Sequence, residues 1–445
     1  MGRLALKIVI AGAVLATVVC LLLRPDRPLR VVTGVVSHTL CSAAFVSGLD
    51  PRQVYAEEIE SAPPFQPVRW AIRYRLDPVR REVETSLLGT FGSRAIYRDG
   101  SGCLVLRGAS PPGSSVASEA RPSSHLSELA TSDKDVLAVL DHAFALYPSA
   151  HWLKAVVVMR DGKVVAERYA AGYGPDTRVL GWSVTKSVIN ALTGILVREG
   201  RLTLEQPAPV GEWSNPTDPR HTITVDQLLR MRSGLDIAEK HGPFDPASRM
   251  LFLEYDMGAF AAHARLRAPP GTTFSYSSGN YLVLSRIIRE AVGGNVRSVL
   301  EFARSELFEP LGMQSTTFDF DATGTPIGST YMYATARDWA RFGTLYLDDG
   351  IVNGKHILPL GWVRYSTASL PDSGYGAGFE FSSKHNSELG VPPDTFFAEG
   401  FLGQELAIIP SERLVVARFG VIDDNWGDLN PLVPAIISAL HKKAN

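Results

Sequence analysis

Cysteine is scarce in this chain, three in 445 residues. Cys20 lies in an apolar N-terminal run, which leaves one possible pair, Cys41 and Cys103. A charge excess is missing as well. Lys and Arg total 44 against 46 Asp and Glu, a net charge of −2, so nothing points to nucleic acid or another polyanion as partner. The ten histidines stand at no metal-ligand spacing. There is no His-Glu-x-x-His and no phosphate-cradling Gly-rich loop of the Walker type. No metal and no cofactor are expected. At 45% hydrophobic and 20% charged, the composition is that of an ordinary globular protein.

What is present centres on Gly181-Trp182-Ser183-Val184-Thr185-Lys186, which opens a long apolar run ending near Gly200. Positions three apart on a helix share a face, so the Ser183 hydroxyl is expected beside the Lys186 amine. Val188, Ile189, Ala191, Leu192, Ile195, Leu196 and Val197 make the helix apolar on most sides, as in a buried helix. Burial of a lysine disfavours its charge and lowers its pKa. A neutral amine next to a serine hydroxyl is a base beside a nucleophile. The plain alternative is an N-cap serine and a lysine that snorkels to solvent.

The N-terminus reads as a targeting segment. Arg3 and Lys7 precede a continuous apolar run from Ile8 to Leu23, and with Leu4–Leu6 it approaches the roughly 20 residues that span a bilayer. Arg24-Pro25-Asp26-Arg27-Pro28 follows without an Ala-x-Ala cleavage site. Residues 1–24 are therefore expected to be an uncleaved signal anchor, membrane-embedded through residues 4–23, with the bulk of the protein exported. A cleaved signal peptide is the alternative. An exported chain meets an oxidising compartment, where Cys41 and Cys103 can close a bridge worth about 4 kcal/mol on the chain-entropy model. Two free buried cysteines are the alternative.

Residues 25–107 read as an N-terminal extension. A helix is expected from Asp50-Pro51, and 68–74 and 95–106 have strand character. The Pro/Ser/Gly-rich stretch 108–130 reads as a linker. The main domain, 131–445, opens with helical spacing over 133–146. Strand-like runs at 153–159 and 163–169 flank Arg160-Asp161-Gly162, a hairpin signal. Helices are expected at 224–231, 281–292, 296–307 and 334–347. A second hairpin is expected around Pro410–Arg413, and a closing helix at 430–440. Strands at both ends with helices between them predict an α+β fold, an antiparallel sheet with helices segregated from it.

Two further stretches offer partners for Ser183. Phe274-Ser275-Tyr276-Ser277-Ser278-Gly279-Asn280 reads as a loop entering a helix. Tyr276 can relay a proton, and Ser278 or Asn280 can hydrogen-bond the lysine. The plain alternative is an N-cap loop with a core tyrosine. Phe397-Ala398-Glu399-Gly400-Phe401-Leu402-Gly403-Gln404 leads into the second hairpin. Its glycines allow another backbone to approach closely, so one strand N–H and the Ser183 N–H could form an oxyanion hole. Gly400, Phe401 and Gln404 are the oxyanion or substrate-binding candidates, against a plain bulged strand.

Ser-x-x-Lys, then Tyr-x-Ser, then a Gly-containing strand before a C-terminal helix resembles the serine β-lactamase and penicillin-binding-protein superfamily. Within it the chain is most similar to class C β-lactamase-like hydrolases, on the branch of 6-aminohexanoate-dimer hydrolases and esterases. Trp182–Ser187, Asp226–Leu235 and Met332–Trp339 carry this likeness, which spans roughly residues 131–445. The resemblance implies Ser183 as nucleophile, Lys186 as its activator and Tyr276 as proton relay. Ser278 takes the third position of the tyrosine motif, where many relatives carry Asn. At the third motif, usually Lys-Thr-Gly or His-x-Gly, stands Ala398-Glu399-Gly400. The cation that helps bind a β-lactam carboxylate is absent there, and Phe401 N–H becomes the second oxyanion donor. The implied activity is hydrolysis of a small-molecule amide or ester through an acyl-Ser183, in a bacterial inner-membrane protein facing the periplasm, or a periplasmic or secreted one if residues 1–24 are cleaved. An α/β-hydrolase is disfavoured because Gly181-Trp-Ser-Val-Thr lacks the second glycine of Gly-x-Ser-x-Gly. The other alternative is a membrane-tethered, non-catalytic sensor or scaffold.

Overall fold

The computed structural model describes residues 24, 26–62, 65–107, 133–146, 153–240, 242–370, 372–381, 383–421 and 432–442. The apolar run 4–23 and the whole 108–130 stretch lie outside these residues.

The chain first forms helix α1 (Asp26–Ser42), which continues into a π-helical turn at Ala43–Ser47. The local sequence argues poorly for a helix here, since Val31, Val32, Thr33, Val35 and Val36 are β-branched and Gly34 interrupts them. Burial supplies the stability instead: Val31, Val36, Leu40 and Cys41 are in the core. The helix from Asp26 to Ser47 is long and apolar enough to cross a membrane, yet 61% of that window is buried in the fold. α1 lies on an antiparallel meander of β1 (Ile72–Asp77), β2 (Glu82–Leu87), β3 (Phe91–Arg98) and β4 (Gly102–Val105). The strand character at 68–74 and 95–106 corresponds to β1 and to the end of β3 with β4. The intervening β2 carries no such signal because Glu82, Glu84 and Thr85 break its apolar pattern. The helix expected from Asp50-Pro51 through Ile59 is present: an α-helical turn at Pro51–Val54, with the Asp50 carboxylate accepting the Arg52 N–H, runs on into a π-helical stretch at Tyr55–Glu60.

Cys41 and Cys103 are disulfide-bonded, joining α1 to β4. This segment is also bonded into the rest of the protein. Asp319 receives the Cys103 N–H at 3.0 Å and lies 2.8 Å from His38 Nε2, both groups buried. Burial raises the Asp319 pKa, and the contact with His38 opposes that rise. Lys154 pairs with Glu58 across the same boundary.

The main part begins with α2 (Lys134–Leu146), then β5 (Leu153–Arg160) and β6 (Lys163–Tyr169). Asp161 and Gly162 form their turn, both at positive φ (49° and 72°), as a two-residue type I′ turn requires. β7 (Arg178–Leu180) leads to helix α3 (Thr185–Arg198). Later come α4 (Ser278–Val292), β8 (Thr317–Phe318), β9 (Met332–Thr335) and α5 (Ala336–Leu347). The chain closes with β10 (Phe396–Gly400), β11 (Gln404–Ile409), β12 (Leu414–Gly420) and α6 (Leu432–His441). The principal sheet has the order β10-β11-β12-β5-β6 and is antiparallel throughout. Pairing of β12 with β5 brings the two ends of this part together. Helices α2 and α6 cover one face, packing Val136, Leu140 and Ile436 on Val156, Val158 and Val416. Val157, Val415 and Ala417 on the other face join the core around α3 and α5. A sheet covered on both faces explains why β5 and β12 read as continuous apolar runs rather than alternating ones. The fold is the α+β arrangement expected.

The disulfide closes a loop with sequence separation 62. Replacing both cysteines by alanine should lower the free energy of unfolding by about 4 kcal/mol, read as a lower denaturant midpoint with a slope no smaller than the native one, since the freed unfolded chain exposes more surface.

Candidate active site

Ser183 sits in a single 3₁₀ turn, Trp182–Val184, immediately before α3. This turn is clamped from two sides. Gly181 N–H donates to Met332 O at 3.0 Å, and a Cβ on Gly181 would come within 2.4 Å of the Trp339 ring, so only glycine fits there. Trp182 adopts φ 47°, a left-handed conformation that costs a bulky residue of order 1–3 kcal/mol. Its ring stacks edge-on against Phe401, with centroids 5.3 Å apart.

One turn on, Lys186 is 1% exposed. Its Nζ lies 2.8 Å from Ser183 Oγ, 3.3 Å from Ser278 Oγ and 2.9 Å from the Ser329 carbonyl. The carbonyl can only accept. Two N–H bonds to Ser329 and Ser278 leave the third tetrahedral direction of a neutral amine, its lone pair, for the Ser183 hydroxyl. Burial lowers the Lys186 pKa to about 8, with Glu239 pulling the other way.

The Tyr276 ring lies 4.9 Å from Lys186 Nζ, and its hydroxyl interacts with that of Ser183. Burial, then Glu239, raises its pKa well above the usual tyrosine value, with the Ser183 contact opposing. The phenol therefore stays protonated across the ordinary pH range and is a proton donor. Ser278 opens α4, held by the Ser277 cap, and its hydroxyl meets the lysine. Asn280 does not; its Oδ1 accepts from Ser233.

The third stretch approaches as its glycines predicted. A Cβ on Gly400 would lie 2.5 Å from Gly181 O and 3.2 Å from Ser183 N. The end of β10 thus runs directly against the Ser183 turn, with the Phe401 N–H following. Gln404 is placed differently from a substrate-binding group. Its Nε2 donates to Phe401 O, Leu402 O and Gly420 O, and its Oε1 accepts from Gly420 N. Its amide holds the turn that carries Phe401. Ala398 is fully buried, so no cation stands at that position. Glu399 is not a solvated carboxylate either: burial, then Glu380 and Glu405, raises its pKa well above the normal range.

Two participants have no local signal in the sequence. Glu239 accepts the Ser278 N–H and acts electrostatically on both Lys186 and Tyr276. It lies 37 residues before Tyr276 in an irregular segment, so only the fold reveals it. The Ser329 carbonyl is a backbone group and leaves no trace in residue type. Among the described residues, no group of three or more His, Cys, Asp or Glu side chains is arranged to hold a metal ion.

Residues 154–421, well over half of the chain, match the Beta-lactamase family model. Over 294 residues the chain is 30% identical to 6-aminohexanoate-dimer hydrolase of Paenarthrobacter ureafaciens, covering 62% of this chain and 73% of that protein. Among solved structures, a penicillin-binding protein homologue from Caulobacter crescentus aligns with TM-score 0.54 at 20% identity, covering 70% of this chain and 98% of the other. A family VIII carboxylesterase aligns with TM-score 0.54 at 16% identity, over 69% and 97%. These two likenesses concern the fold.

Glu239 favours the charged form of Lys186, so its removal lowers the lysine pKa. In Glu239→Gln, the acidic limb of kcat/KM should move from near pH 8 to lower pH. An unmoved limb would show that Lys186 does not set it.

Proposed function

Because the chain belongs to the Beta-lactamase family, we propose that it is a serine hydrolase acting on small amides or esters through an acyl-Ser183 intermediate. The observation that carries this reading is a buried amine with a lowered pKa, 2.8 Å from a serine hydroxyl that also contacts a protonated tyrosine.

In this reading the neutral Lys186 amine takes the Ser183 proton as Oγ attacks the substrate carbonyl carbon. The Ser183 and Phe401 N–H groups receive the developing oxyanion. Tyr276 delivers a proton to the leaving amine or alkoxide and is reprotonated by the Lys186 ammonium. A water then attacks the acyl carbon, giving its proton to the same base, and the acid leaves with Ser183 restored. Ser278 and the Ser329 carbonyl orient the amine, and Gln404 positions the Phe401 turn.

The substrate class follows from charge. With Ala398 at the third motif, nothing there meets a carboxylate. Glu239 and Glu380 both act on the Tyr276 hydroxyl, so the surroundings favour a substrate bearing an ammonium group. That agrees with a linear aminoacyl amide of the kind named for the Paenarthrobacter relative. We place the domain outside the cytoplasm, tethered by residues 4–23, on the strength of the apolar run and the Cys41–Cys103 disulfide. A non-catalytic sensor would acylate once and hold the acyl group; a hydrolase releases product repeatedly.

A serine-directed phosphonate should add once to the native protein by intact mass and not at all to Ser183→Ala. An adduct surviving in the variant overturns the assignment. In a substrate panel, an unbranched aminoacyl amide or a p-nitrophenyl ester should turn over with higher kcat/KM than benzylpenicillin. The reverse order would overturn the pocket reading while leaving the nucleophile intact.

A further inference from the structure

The start of α1 is ringed by side chains that a soluble surface does not usually expose. On its sheet side, Trp70 is 69% exposed and Leu88 60%. The two are neighbours, since Leu88 N–H bonds Ala71 O. On its other side Phe244 is 84% exposed and Tyr255 41%, and both line a groove shared with Arg24 and Arg27. Exposed apolar groups clustered in this way mark an interaction surface.

Arginines line a cleft beside the start of α1, two of them ion-paired: Arg30 with Asp26 and Arg94 with Glu82. Arg30 Nη1 reaches Gly92 O at 3.5 Å, and Arg107 Nη2 reaches Arg30 O at 3.3 Å. Together with Arg73, Arg75 and Arg94 they line one cleft, in which Glu84 is the single carboxylate. Arg73 donates to the Trp70 and Ile72 carbonyls, so its charge meets no anion through these bonds. On the opposite side Asp245 and Asp256 serve as N-caps, accepting from Ser248 and Ala259.

The sequence identifies what would cover this face. The continuous apolar run ends at Leu23, three residues before α1 begins. Whatever receives that run lies beside Arg24 and Arg27. Tryptophan and other aromatic side chains interleaved with arginine next to an apolar segment are the pattern of a membrane–water interface, and guanidinium groups are attracted to anionic headgroups.

We propose that the face around the start of α1, carrying Trp70, Leu88 and Phe244 with Arg27, Arg30 and Arg73, rests on an anionic phospholipid bilayer. The domain then stands on the membrane instead of swinging freely from it. α1 has 17 residues, about 25 Å of helix. Its far end, at Ser42 and Ser47, borders the crevice lined by Trp182 and Leu402. Docking therefore holds the nucleophile turn about one helix length from the headgroups, facing soluble substrate.

The test uses the full chain in nanodiscs containing brominated phospholipid, either all phosphatidylcholine or with a third phosphatidylglycerol. Tryptophan emission should be quenched more in the anionic discs, and Trp70→Phe should abolish that difference. In Arg73→Gln/Arg75→Gln, both residues being exposed, the docked-to-undocked ratio should fall about fivefold per arginine removed. Equal quenching in both lipids, or quenching unaffected by Trp70→Phe, overturns the proposal. So does a dimer in detergent that Phe244→Ser dissociates, since the face would then join two copies of this chain.

Discussion

The structure depends on keeping one amine dry. Lys186 is buried among neutral partners: a hydroxyl on the turn that leads into its helix, a hydroxyl at the start of α4 and a backbone carbonyl. A buried ammonium ion without a bonded counter-ion is expensive, and the group answers by losing its proton more readily. Every neighbouring element contributes to that environment. α3 is buried from Thr185 to Leu196, with α4 against it and Tyr346 of α5 bonded to Ser187 and Asn190. The three partners come from residues 183, 278 and 329, so the amine also measures whether three distant segments have assembled. The lowered pKa is therefore a tertiary property. Neither the Ser-x-x-Lys spacing nor the helix alone could produce it.

Close backbone approach is the second constraint, and it follows from the first. Under the proposed mechanism, Ser183 beside a buried base needs its oxyanion donors equally close and equally shielded. β10 reaches Ser183 only because Gly400 has no side chain to strike Gly181 O. The Ser183 turn itself sits over Trp339 only because Gly181 has none either. Between them Trp182 holds a left-handed φ that its neighbours, Phe401 and Tyr331, pack around. The local strain is sustained by aromatic packing that links the serine turn to the Phe401 turn at the end of β10. Displacing either side would disturb both N–H groups together.

What could be read from the sequence was what is local. Ser183 and Lys186 share a face because the helix period is local. Asp161-Gly162 and Pro410–Arg413 mark hairpins because turn chemistry is local, and Gly400 announces a close approach without saying to what. α1 was hidden because its β-branched residues and Gly34 argue against a helix that tertiary burial then enforces. Glu239 was hidden because an isolated carboxylate in an irregular segment has no pattern to betray it. Gln404 shows a subtler limit. Its position beside the oxyanion strand was legible, but whether its amide faces substrate or backbone depends on Gly420, which lies on a different strand.

The strand period also settles what the third motif can and cannot do. Along β10, Ala398 shares the face of Val184 and Val188, while Phe397 belongs to the face covered by α2 and α6. Glu399 stands on that second face, opposite Glu405, which pairs with Arg418 at 3.1 Å. Burial and Glu380 push its pKa well above the usual carboxyl range, and a carboxyl in either form cannot replace the missing cation. Among the described residues, the charges that act on Lys186 and Tyr276 are those of Glu239 and Glu380, alongside the lysine's own. When the amine is neutral these sum to a negative field, and when it is protonated they hold it so. A substrate ammonium entering this space would be drawn to the carboxylates and would disfavour the lysine's own charge. Under the proposed mechanism, binding such a substrate would itself help free the base that attacks it.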